Sequence, residues 1–181
     1  MLSNIIDLYK RNQTIINYAA IGLAVISIIG KKIMDLGLSK SDFWELVNGK
    51  KLTYPTKSIR KLSSGYGTRR NPFSGATSYH NGIDIPAPAK TPIFAPIDGE
   101  VIGNSYHAQG GNQLILKNGD IRLGFAHLFE KPNFQIGDKV KKGTQIGLIG
   151  TTGTSTGNHL HFTLKVDGNF VDPKKAFPNY V

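Results

Sequence analysis

The segment HLHFTLKV, His159–Val166, decides the fold. Side chains in a β-strand point alternately to opposite faces. Leu160 and Phe162 then face one way, into packing, while His159 and His161 share the other face. The chain has five histidines, and two of them sit in this one segment. Paired imidazoles add little to packing. They make chemical sense when something between them, a metal ion or a reacting group, uses both nitrogens.

The neighbouring stretches read the same way. TPIFAPIDGEVIG (91–103), NQLILKNGDIRLGFAHL (112–128) and GDKVKKGTQIGLIG (137–150) are short apolar runs separated by turn residues. KNGD (117–120) and VDGN (166–169) are hairpin turns, because Asn-Gly and Asp-Gly accept positive φ at low cost. The 21 glycines and 9 prolines also disfavour helix. A mainly β domain is expected over residues 51–181, built as an antiparallel sheet or sandwich.

Residues 1–50 differ in kind and read as helical. TIINYAAIGLAVISIIG, 14–30, carries no charge and is bracketed by Lys10, Arg11, Lys31 and Lys32. Its length as a helix is roughly 25 Å, at the short end for crossing a bilayer. It fits a membrane or interfacial anchor, with a helix buried against another subunit as the other reading. A cleavable signal peptide fits less well, since no small-x-small site precedes the lysines. SKSDFWELVNGK (39–50) follows as a short helix, with Ser41 as cap and Glu45 in its first turns.

At 181 residues the chain holds one domain with a sizeable core plus an appendage. It has no cysteine, which excludes disulfides, thiolate zinc sites and cysteine nucleophiles. Any metal site must use His, Asp or Glu. The net charge of +10 suits a polyanionic partner or plain solubility. Nothing resembles a recognition helix or an aromatic RNA-binding motif, so no specific nucleic-acid partner is expected.

Two further stretches carry chemistry. In YHNGIDIPAP (79–88), His80 and Asp84 are four apart around Gly82, and a bend there can turn both inward. Neutral imidazole and carboxylate are good zinc ligands. In RLGFAHL (122–128), His127 sits on an expected strand. A lone strand histidine is usually an ordinary half-buried residue, and His107 in SYHAQGG is left at that. Four histidines and one aspartate in strand and glycine-turn settings are another matter.

Taken in order, SSGYGTRRNPFSG, YHNGIDIPAPAKTPIFAPIDGEVI, FAHL and VKKGTQIGLIGTTGTSTGNHLHF resemble the lysostaphin-type zinc metallopeptidases. The likeness covers about residues 62–173. It implies Zn2+ held by His80, Asp84 and His161, with His127 and His159 as catalytic residues. Three protein ligands leave room for a water whose pKa zinc lowers toward ~7. No H-E-x-x-H motif supplies a glutamate base, and imidazole, with its pKa near ~6.5, can take that role. Phe125, Asn158 and Thr163 stand where the family usually has Tyr, Pro and an acidic residue. None of these changes removes a ligand or a catalytic imidazole.

The resemblance implies an endopeptidase that cuts peptide cross-links of bacterial peptidoglycan. Residues 14–30 would engage a membrane or virion partner, placing the protein in a bacterial envelope or a phage virion. A non-catalytic binding or structural module of an envelope or virion is the alternative. Retention of all five site residues favours the enzyme. GTTGTSTG (150–157) is expected as a loop beside the site. Tyr66 and Arg69 fall at the cleft rim in this reading, Arg69 either gripping a substrate carbonyl or carboxylate or standing as a surface arginine.

Overall fold

The computed structural model describes residues 52–166 and 168–181. The expected helices of residues 1–50, with the apolar run 14–30, lie outside the described residues. Among the described residues, no helix is long and apolar enough to cross a membrane.

Eleven strands form among the described residues. They are β1 (Gly67–Arg70), β2 (Thr77–His80), β3 (Ile83–Pro86), β4 (Pro92–Phe94), β5 (Gly99–His107) and β6 (Gly111–Asn118). Then come β7 (Ile121–Leu128), β8 (Lys139–Val140), β9 (Gln145–Leu148), β10 (His159–Val166) and β11 (Asn169–Val171). A 3-10 turn, Pro173–Lys175, follows, with the Asp172 carboxylate accepting from the Lys174 amide. The antiparallel β fold expected from the sequence is the one observed. A seven-stranded sheet runs β11-β10-β7-β6-β5-β8, with β3 also on β10. β1-β2 and β4-β9 make two-stranded ribbons.

β10 is the hinge of this topology. One edge pairs with β7 over residues 161–166. The other edge is divided, β3 taking residues 159–162 and β11 taking 164–166. The alternation of β10 is realised, since Leu160, Phe162 and Leu164 are almost fully buried. Their cross-strand neighbours Ile83, Ile85, Leu123 and Phe125 are buried with them. Ile93, Ile146, Phe177 and Tyr180 complete the same core. The Phe162 ring lies tilted 5.5 Å from Phe125 and meets Phe177 edge-on at 5.4 Å. Each such side chain contributes about 1.5–3 kcal/mol by leaving water, so the apolar face holds β10 firmly in register.

Both expected hairpins close where the sequence indicated. β6 and β7 join across Asn118↔Ile121, and β10 and β11 across Val166↔Asn169. Each turn holds a left-handed glycine, Gly119 at φ +58° and Gly168 at φ +79°. Asn118 keeps its place in β6 and donates from Nδ2 to the Asp98 carbonyl.

Candidate active site

Register brings the first three residues together. His161 stands opposite Asp84 of β3 on one side and Ala126 of β7 on the other. His80 ends β2, and Asn81-Gly82 turns the chain into β3. A Cβ on Gly82 would lie 2.5 Å from the Phe162 carbonyl oxygen and 3.0 Å from His161 Cε1. Only glycine lets this turn press against β10, and the press carries His80 over to His161.

The inner atoms of the three converge. His80 Nε2 is 3.0 Å from His161 Nδ1 and 3.2 Å from Asp84 Oδ1, and His161 Nδ1 is 2.9 Å from Asp84 Oδ1. The outer ring nitrogens are already committed. His80 Nδ1–H donates to the Gly65 carbonyl at 2.7 Å, and His161 Nε2–H donates to Asn81 Oδ1 at 3.1 Å. A neutral imidazole has one N–H, so both inner nitrogens present lone pairs. Burial raises the Asp84 carboxyl, and hydrogen bonds from His161 and His80, available when those rings carry a proton on the inner nitrogen, outweigh it and hold the pKa well below the usual carboxylate range. Three acceptors around one point, with their protons turned outward, make a cation site. Two imidazoles and a carboxylate suit zinc, and the outward N–H bonds are the orienting contacts such ligands need. His80, Asp84 and His161 therefore fit the metal ion.

The other two histidines flank this point. His159, two residues along β10, has Nε2 3.6 Å from Asp84 Oδ1 and donates from Nδ1 to the Gly157 carbonyl at 2.8 Å. His127 donates from Nδ1 to the Thr152 carbonyl at 2.8 Å. The two rings lie 4.6 Å apart, and His127 is 6.0 Å from the His161 ring. Burial lowers the His127 pKa, against an opposing push from the Thr152 carbonyl. It stays neutral, with a lone pair on Nε2, below the pH at which a free imidazole charges.

His127 reaches the site by an irregularity. In a regular β7 it would follow Ile121, Leu123 and Phe125 into the core. Pairing with β6 slips between Asn112↔Leu128 and Leu114↔Phe125, so Gln113 faces both Ala126 and His127. His127 takes the left-handed conformation, φ +59°, and its amide bonds to the Gly110 carbonyl at 2.8 Å. This bulge turns the ring onto the groove face.

The five residues open into a groove of about 550 Å³, whose floor includes Ile115, Gly124 and Thr163. The 150–157 loop borders it through Thr154, Ser155 and Thr156, as expected. Arg69 also lines it, with Nη1 3.5 Å from Asp84 Oδ2. Tyr66 stands apart from the groove. Its hydroxyl donates to the Phe170 carbonyl at 3.0 Å, and its pKa is pushed up to about 12 by the hydrogen bond with Tyr79. His107 sits at the exposed end of β5 on the groove wall, outside the cluster of four. Sequence reasoning missed Asn81 and the carbonyls of Gly65, Thr152 and Gly157. Asn81 had one visible signal, its position beside His80; the carbonyls had none.

Residues 78–173 match peptidase family M23. The chain belongs to this family of lysostaphin-type metallopeptidases. Peptidoglycan DD-endopeptidase ShyA of Vibrio cholerae serotype O1 is 37% identical over 125 residues, covering 68% of this chain and 29% of that protein. A zinc containing peptidase from Vibrio cholerae superposes with a TM-score of 0.63 at 35% identity, over 68% of this chain and 39% of that one. The catalytic domain of the antimicrobial peptidase lysostaphin from Staphylococcus simulans gives 0.56 at 35% identity, over 63% of this chain and 89% of that domain. The chain thus spans under a third of ShyA's length.

Proposed function

We propose that the protein is a zinc endopeptidase that hydrolyses peptide cross-links in bacterial peptidoglycan, with His80, Asp84 and His161 as metal ligands and His127 and His159 as catalytic residues. The convergence of inward lone pairs from His80, His161 and ionised Asp84, beside two further imidazoles, is the observation that carries this reading. Relatives named as peptidoglycan DD-endopeptidases support the substrate. Zinc supplies Lewis acidity, which makes water nucleophilic near neutral pH and polarises a carbonyl.

The remaining work falls to the chain. His127 and His159 have their Nδ1–H groups tied to backbone carbonyls, which aims each Nε2 into the groove. One accepts the proton released by the attacking water as its oxygen bonds to the scissile carbonyl carbon. As the C–N bond breaks, a proton passes to the departing amine. Burial keeps His127 neutral and ready to accept. Residues 14–30 tether the protein to a bacterial envelope or a phage virion in this reading, an assignment supported by their apolar, charge-flanked sequence.

Mass spectrometry of fragments released from defined peptidoglycans tests the proposal. New amino termini at the cross-link, lost on chelation and restored by zinc, are expected. Binding to the wall without bond cleavage would instead establish a non-catalytic module.

A further inference from the structure

The far end of the groove floor has a charge pattern that hydrolysis at the histidines leaves unused. Across five neighbouring strands the register runs Glu100↔Lys117, Lys117↔Arg122, Arg122↔Lys165 and Lys165↔Phe170. Directly paired residues point to the same face. This is the face of Thr163 and His161, because Lys165 follows them at two-residue steps along β10. Arg122 and Lys165 line the groove, and Lys117 continues their row on β6. Three cations thus stand side by side, on strands about 5 Å apart.

Such a row is unfavourable by itself, since like charges directly opposite each other destabilise a sheet. Glu100, opposite Lys117, relieves only that end of the row, and its carboxylate is also bound by Lys139. Among the described residues Arg122 and Lys165 form no ion pair. Lys165 Nζ lies 4.2 Å above the partly exposed Phe170 ring, which shields one side of the row without neutralising it.

We propose that Lys117, Arg122 and Lys165 form an anion subsite that holds a free carboxylate of the peptide substrate. The inference rests on the endopeptidase reading, because it places a peptide along this groove. His161 and Lys165 are four residues apart on one strand, a span of about 13 Å. An extended peptide with its scissile bond at the histidines presents a side-chain or terminal carboxylate at the row about four residues away. A guanidinium flanked by two ammonium groups makes charge-assisted hydrogen bonds to that carboxylate. The row thereby selects which peptides enter and in which direction they lie.

The test compares two soluble cross-linked peptides, identical except that one bears a free carboxylate and the other its amide. The full chain should favour the carboxylate by about 10-fold in kcat/KM, chiefly through KM, and lose that preference at high salt. In Arg122→Glu/Lys165→Glu the ratio should fall to one or below. Lys131→Glu, an exposed cation outside the groove with the same kind of charge change, should keep the wild-type ratio. Equal turnover of both peptides by the unmodified chain, or a ratio unmoved in the double variant, would overturn the subsite. If neither peptide is cleaved, the endopeptidase reading fails. Fluorescence anisotropy on the same pair then decides the subsite separately. Preferential binding of the carboxylate that the double variant abolishes upholds it, and equal binding ends it. A preference for polyphosphate or nucleic acid over both peptides would reassign the row to a polyanion.

Discussion

β10 and β7 lie side by side and deliver histidines to the groove, two from β10 and one from β7, by opposite means. β10 is regular. Its alternation buries Leu160, Phe162 and Leu164 and leaves His159 and His161 on the other face. β7 alternates up to Phe125 and then breaks, with two residues opposite Gln113 and His127 at positive φ. The first strand places its chemistry as a by-product of packing. The second spends backbone strain to place one ring, and such strain persists where the surrounding structure over-determines it. Here the Gly110 and Thr152 carbonyls hold His127 at both its amide and its ring.

The comparison can be broken first at the ligands. His161→Ala should remove bound zinc and turnover together while β10 keeps its core face, read by elemental analysis beside wall-digestion rate. Retained zinc stoichiometry and affinity would take His161 out of the ligand set.

His159→Ala and His127→Ala should each leave zinc bound and lower turnover by about 10²–10⁴-fold. Regular and irregular placement would then have delivered equivalent groups. Their double variant should lose less than the product of the single losses, because residues acting as one unit are not additive. Zinc loss in His159→Ala would mean that the two histidines of HLH have exchanged roles.

Gly82→Ala attacks β10 from its β3 edge. The added methyl meets the Phe162 carbonyl, so the turn must shift. A loss of about 1–3 kcal/mol in denaturant unfolding is expected, with weakened zinc affinity. Unchanged stability would show that the turn does not need its close approach.

Two finer measurements bear on β7. If His127 is the base, its neutral form persists below pH 6.5, because burial disfavours the charged imidazole. The acidic limb of kcat/KM should accordingly lie below that pH. His127→Gly should be more stable than His127→Ala by about 1 kcal/mol, since only glycine is at ease at positive φ. Equal stability of the two would deny the strain.

The same contrast explains what the sequence disclosed. The face of β10 was legible from alternation, and both hairpins from their glycines. Asp84 was legible too, a charge between Ile83 and Ile85 in a strand whose isoleucines are buried. His127 was legible as chemistry and misleading as geometry, because alternation sends it to the core with Phe125. The sharing of one β10 edge between β3 and β11 is a long-range pairing, which no local pattern encodes. The row of cations was hidden for the same reason, since Lys117, Arg122 and Lys165 become neighbours only through register.

The carbonyls that hold the imidazoles have a consequence for genetics. Gly65, Thr152 and Gly157 serve the site through an oxygen that every amino acid possesses. At Gly65 and Gly157 an added Cβ meets open space. Saturation mutagenesis of those two codons should thus return nearly flat fitness profiles, although the oxygen at each position steers a histidine. Interrupting them takes a change in the path of the chain, such as a one-residue deletion, which makes this part of the site robust to substitutions and brittle to indels.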